Sequence, residues 1–348
     1  MTIWSIPLRG VRGKRPNPRI KGLESSIKEW KKGFVHDTRP IIDGDCPSVI
    51  ELPNLDGMAL CHYEYNGEDI AAKFSGEYDF AHLTPHLSTI YCEIVIDDSH
   101  WKDSFMPDYP KHNEIEKYQT VQTQAMAIIT ALRLIGFNRF IAPCILKNST
   151  LKNAHMAGEG TIEFLPNHLF QIPMAYLEGS KSRITKKEFA WVCRAVRTLN
   201  QLYFFDDLTP VMTAMSYYYD DIPSRAKMTL IWAAIEDLLK PNQDKIRFSI
   251  RARSAMIIGT SDSEIKEKFK QVGKLYNKRS AATHGRKFTW AYGLEDISKN
   301  KRLLDDMESL IQSYKLLCDI FYCIVERGTK FTNLELSSLE EEYIKNFS

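Results

Sequence analysis

The sequence predicts two parts of different class: an α+β domain over residues 1–180, then an all-α helical bundle over residues 185–328, with a C-terminal tail at 329–348. Three observations predict this. Between residues 45 and 100, short runs rich in β-branched and aromatic residues alternate with turn chemistry. After residue 184 those runs stop and apolar residues recur at helical spacing. The chain has 348 residues, 44% of them hydrophobic, which is enough material for two cores.

Strands are expected at Ser48 to Leu52, Ala59 to Tyr65 and Ser88 to Ile96. Asn54-Leu55-Asp56-Gly57 and Asn66-Gly67-Glu68-Asp69 carry turn residues between some of them. A helix is expected from Asn113 to Ile135, with Ala125, Ile128, Ile129 and Leu132 on its apolar side. Short apolar runs follow at Phe140 to Leu146 and Thr161 to Leu165. The role of this first part is not written in its residues, and sensing or regulation is the expectation.

The second part reads as six helices. Lys186 to Tyr203 carries Phe189, Val192, Cys193, Val196 and Leu199, and Pro210 to Tyr219 is a short segment before Pro223. Ser224 is an expected N-cap for Arg225 to Lys240, and Pro241 ends that helix. Lys245 to Ile258 stops at Gly259, and Ser261 with Glu264 forms a capping box for a helix that ends near Thr283. Lys299 to Glu326 is the last and longest.

Composition narrows the class. Seven cysteines are present, none with C-x-x-C spacing, which argues against a disulfide framework or a structural zinc. Neither a signal-peptide h-region nor a spanning apolar run is found, so a cytoplasmic protein is expected. The net charge of +2 is small, but its distribution is uneven. Residues 8–21 hold Arg9, Arg12, Lys14, Arg15, Arg19 and Lys21 without an acid, and read either as a solvated loop or as an arm for phosphates. Between Phe269 and Phe288 lie Lys270, Lys274, Lys278, Arg279, Arg286 and Lys287, again without an acid, and Arg247, Arg251 and Arg253 precede them. An uncompensated basic face attracts a polyanion, whereas a face paired with Asp305, Asp306 and Glu308 would not.

Within this patch Arg279 and His284 stand five residues apart, about 140° around an ideal helix. They can meet only where the helix ends, and Gly285 supplies an ending. A histidine there can give and take protons near neutrality. An arginine presents a planar fork suited to phosphate. Ser280, Ala281, Ala282 and Thr283 between them are small enough for close approach by another helix.

Arg-x4-His at the end of a late helix, followed by Gly285, resembles the signature of HEPN domains. Thr229 to Leu239, Arg247 to Ala252 and Leu275 to Arg279 are similar to the ApeA-like HEPN group of bacterial anti-phage proteins. The resemblance covers residues 185–328, under half of the chain. It implies an endoribonuclease acting in defence, with a composite site of two Arg279 and two His284 brought together by dimerisation. It implies no cofactor and no metal, because the 2′-OH of RNA is its own nucleophile. Tyr276, Ser280 and Glu236 are the expected supporting residues, with Glu236 either exposed beside Asp237 or turned inward against Arg247 or Arg251. Lys274, Lys278, Arg286, Lys287 and Arg251 are the expected RNA contacts. The implied partners are RNA, with tRNA among the candidate substrates, a second copy of the chain, and a phage-derived trigger or regulatory partner. Many active members carry Asn, Asp or His after the arginine, and here that residue is Ser280, which leaves a non-catalytic module for dimerisation and nucleotide or RNA binding as the rival reading.

Other motifs carry less. His82-x3-His86 has ligand spacing but encloses Pro85 and has no further ligand beside it. Tyr217-Tyr218-Tyr219 could stack on bases, but aromatics before a proline turn more often pack.

Overall fold

The computed structural model describes residues 3–13, 34–36, 49–51, 58–66, 88–97, 114–135, 140–141, 144–148, 161–164, 185–205, 208–218, 223–283 and 301–347. The strands are β1 (Ile3–Gly13), β2 (Phe34–His36), β3 (Val49–Glu51), β4 (Met58–Asn66), β5 (Ser88–Asp97), β6 (Phe140–Ile141), β7 (Cys144–Lys147) and β8 (Thr161–Phe164). They pair antiparallel in the order β3-β4-β5-β1-β7-β8, with β2 and β6 also on β1. The longest pairing runs from Met58 opposite Ile96 to Asn66 opposite Ser88. Strand β1 corrects the reading of Arg9 and Arg12 as part of a loop. Gly10, Gly13 and Pro7 hide this strand from local pattern. Pairing with β5 supplies its ladder, and Pro7, which has no N–H to give, falls between the residues that pair with β7 and with β6. Lys14, Arg15, Arg19 and Lys21 lie outside the described residues.

The chain divides into two compact units, and the division falls after Asn200, inside helix α2 (Lys186–Phe205). In the first unit α1 (Glu114–Leu134) buries Val121, Ala125, Ile128, Ile129 and Leu132. The first turns of α2 bury Phe189, Val192, Cys193 and Val196, and burial pushes the Cys193 thiol up to about 12. In this core the Asn200 Nδ2 donates to Gln124 Oε1 at 2.8 Å, while Asn200 Oδ1 is buried with no hydrogen-bond partner among the described residues. Thr185 and Glu188 cap α2 reciprocally.

The described residues of the second unit beyond α2 form six α-helices and a 3-10 turn at Gln243–Lys245: α3 (Thr209–Tyr217), α4 (Ser224–Leu239), α5 (Ile246–Ile258), α6 (Asp262–Thr283), α7 (Lys301–Arg327) and α8 (Asn333–Phe347). None of the described helices is long and apolar enough to cross a membrane. Trp232 of α4 is fully buried at the centre, where its Nε1 donates to Ser313 Oγ of α7 at 3.2 Å. Tyr218 is buried by stacking on Tyr314 at 3.7 Å, so this member of the tyrosine run packs, while Tyr217 is exposed and Tyr219 lies outside the described residues.

Two expected caps differ. Ser224 is the first residue of α4, and the N-cap position falls to Pro223 without a side-chain bond. At α6, Ser261 Oγ accepts from the Glu264 amide at 3.3 Å, but the Glu264 carboxylate bonds Thr260 instead of Ser261, and these bonds lower its pKa.

The expected tail at 329–348 is instead helix α8. Thr332 and Glu335 cap it reciprocally, and Arg327 reaches the same carboxylate, which is drawn down to about 2 by these partners. Leu336 is fully buried, worth about 1.5–3 kcal/mol. Tyr343 stacks on Phe269 of α6 at 4.4 Å. Glu340 pairs with Arg253 of α5 at 2.9 Å, and Arg253 Nη1 also donates to the carbonyls of Leu239 and Lys240. Those carbonyls end α4, where Lys240 turns left-handed at φ 41°. Arg253 is therefore a buried structural cap, not part of a surface groove.

Candidate nucleic-acid site at the end of helix α6

Helices α4 and α6 pack in antiparallel register. Trp232 meets Tyr276 edge-on at 5.5 Å, and seven residues away on each helix Arg225 Nη2 donates to the Thr283 carbonyl at 3.0 Å. Seven residues are about two turns, so these pairs lie on the facing sides of the two helices. Glu236 falls on the same side of α4 by its i+4 spacing from Trp232. Its carboxylate meets Arg279 across the same seam, with 2.8 Å between Oε1 and Nη2. The expectation of an inward acid at Glu236 thus meets a different partner: it pairs with Arg279 itself, not with Arg247 or Arg251.

Arg279 is held from two sides. Its guanidinium carbon lies 5.5 Å from the centroid of the Tyr276 ring, and the carboxylate of Glu236 faces its terminal nitrogen. Its Nε is buried and has no hydrogen-bond partner among the described residues. The backbone beneath it is closed by Thr283, whose hydroxyl donates to the carbonyls of Arg279 at 3.0 Å and Ser280 at 3.2 Å. Ala282 is fully buried, whereas Ser280 and Ala281 are half-buried and reachable.

The basic patch is compensated in part. Lys278 forms an ion pair with Asp305 of α7 and lies 3.9 Å from Asp306, two of the acids expected on a compensated face. Lys270 and Lys274 are exposed, with no ion pair to a described residue. Arg251 lies in the seam between α5 and α6. Its Nε donates to the Phe269 carbonyl at 3.2 Å, and its guanidinium sits 3.8 Å from the centroid of the Phe269 ring. Burial, and then Arg247, lower its pKa. Gly273 makes this seat possible, because a Cβ there would stand 2.8 Å from Arg251 Nε. Arg251 is thus engaged about two turns before the Arg279 turn, by internal contacts.

No family model, curated protein or solved structure matches this chain. The site's capacity therefore rests on its own chemistry. His284, Gly285, Arg286 and Lys287 lie outside the described residues, as do His82 and His86. What the described residues bring together is Arg279, Glu236, Tyr276, Ser280 and Thr283, with Arg225 from the first turn of α4. Arg225 escaped the sequence reading. Its signal is a cation in the first turn of a helix, where the macrodipole disfavours positive charge. A pocket between α6 and α7, lined by Lys268, Gln271, Gln312, Lys315 and Asp319, holds about 20 Å³, room for one water and no substrate.

Proposed function

We propose that the protein is a metal-independent endoribonuclease of HEPN type, an effector of anti-phage defence in the cytoplasm. The observation that supports it is the setting of Arg279: a guanidinium oriented by Glu236 on the last turn of α6, with a buried Nε that no described group satisfies. An acceptor such as a phosphate oxygen would satisfy it. His284, one residue past that turn in the sequence, accepts the proton of the RNA 2′-OH as its oxygen attacks the adjacent phosphorus. The bond from phosphorus to the 5′ oxygen breaks, and that oxygen takes a proton from the second histidine of a dimeric site, which acts as an imidazolium. Arg279 stabilises the charge on the pentacoordinate phosphorus. The products end in a 2′,3′-cyclic phosphate and a 5′-hydroxyl. The first half of the chain holds this activity in check until a phage-derived trigger or partner is present, and RNA, tRNA among its forms, is the substrate.

The purified protein is expected to cut RNA in EDTA and to leave 2′,3′-cyclic ends, and His284→Ala is expected to abolish cutting with the fold retained. Undiminished cutting by a folded His284→Ala protein would falsify the assignment.

A non-catalytic module is the second reading, favoured by the neutralisation of Arg279 by Glu236 and of Lys278 by Asp305. A wild type that binds RNA and never cuts it supports that reading. Assembly is tested separately. Ala281 is reachable beside Arg279, so Ala281→Phe is expected to weaken the dimer and the activity together. Sedimentation that finds only monomer in the wild type counts against a composite site.

A further inference from the structure

At the end of α6 two cations, Lys278 and Arg279, face three carboxylates, those of Glu236, Asp305 and Asp306. Those pairings leave the two cations little charge with which to attract a polyanion. Among the described residues Arg225 is the exception at this end. It is exposed and pairs with no carboxylate among the described residues, and its side chain donates to the Thr283 carbonyl. One of its five N–H groups is thereby used, and the remainder of the fork is open. We infer that Arg225 is the residue that binds the RNA phosphate at this site, while Arg279 acts on the reacting phosphorus; the inference rests on the proposed nuclease reading.

The geometry gives the two arginines different roles. The charge of Arg279 is balanced before RNA arrives, so it adds little to long-range attraction. The charge of Arg225 is not balanced, and it lies where the carbonyl end of α6 favours a cation. It is tied to the Arg279 turn by one short chain of bonds. Arg225 holds the Thr283 carbonyl, and the Thr283 hydroxyl holds the Arg279 carbonyl. A phosphate on Arg225 is therefore held in register with the turn that carries Arg279. Arginine suits this better than lysine, because a fork can bond a carbonyl and a phosphate oxygen together.

The test uses the full chain and an RNA oligonucleotide with 2′-O-methyl groups throughout, which cannot be cut by 2′-OH attack. Affinity is measured between 50 and 200 mM salt. Arg225→Gln keeps a donor for Thr283 and removes the charge, and Arg225→Lys keeps the charge. One lost phosphate contact lowers the slope of log affinity against log salt by about 0.7 for a single strand, so the wild-type advantage shrinks about 2.6-fold across that range. The expected result is this loss in Arg225→Gln, a wild-type slope in Arg225→Lys, and a near wild-type slope in Arg279→Gln. Unfolding midpoints equal to wild type exclude a folding defect. A wild-type slope in Arg225→Gln overturns the inference alone, provided the wild type cuts unmodified RNA. A wild type that neither binds nor cuts RNA overturns the inference and the nuclease reading together.

Discussion

Single-turnover cleavage of RNA by Arg279→Ala is expected to fall by about 100- to 1,000-fold, the usual loss for one donor to a developing oxyanion. Affinity is expected to change far less. Arg279 is already opposed by Glu236 at 2.8 Å, so in the ground state it presents little net charge. Its contribution grows only as charge builds on the phosphorane, and it therefore belongs in turnover. Glu236→Gln separates the two effects. It leaves the guanidinium unopposed and less constrained, so binding is expected to strengthen at low salt while the cleavage rate drops. A matching loss of affinity and turnover in Arg279→Ala would move Arg279 from the chemistry to simple binding.

Arg253→Ala is expected to destabilise the second unit by about 3–5 kcal/mol, because it leaves one member of a buried ion pair without its counter-charge. Three groups on two helices lose a partner at once. Glu340 of α8 keeps a carboxylate whose side chain is only 12% exposed, and the carbonyls of Leu239 and Lys240 at the end of α4 lose their donor. Urea unfolding should show a lower midpoint at an unchanged slope. The double replacement Arg253→Met/Glu340→Leu should recover a large part of the loss, because the uncompensated charge goes with its partner. A loss under about 1 kcal/mol in Arg253→Ala would mean that α8 is held by Leu336 and Tyr343 alone. The same measurement checks whether residues 329–348 are a removable tail or part of the bundle.

Most of the helical part was legible because its signals are local. Phe189 to Leu199 repeats at helical spacing, Pro241 and Gly259 mark ends, and Ser261 lies at the start of α6. Helix α8 was missed although Thr332-x-x-Glu335 is a capping box followed by Leu336. Its core face is short, with Leu336, Glu340 and Tyr343 buried, and Glu340 reads as a surface residue until its partner is known. Strand β1 was hidden for a related reason. Gly10, Gly13 and Pro7 argue against a strand locally, and the pairings with β5, β6 and β7 overrule them.

The candidate site divides in the same way. By itself the sequence determined that Arg279 sits near the end of a helix, that small residues follow it, and that basic residues crowd around it. Helix period and capping rules reach only neighbours within a turn or two, so they settle such points without the rest of the molecule. Only the tertiary structure decided which charges meet. Glu236 joins Arg279 and not Arg251, Lys278 is neutralised by Asp305, Arg253 is taken into the core by Glu340, and Arg225 arrives at Thr283. Each of these pairs joins residues on different helices. Their meeting depends on the antiparallel register of α4 on α6 and on the packing of α7 and α8, which is set by the burial of Trp232, Tyr314 and Leu336 and not by the charges themselves. Hydrophobic packing is the larger energy, so it fixes the register, and the charged side chains take whichever partners that register brings within reach.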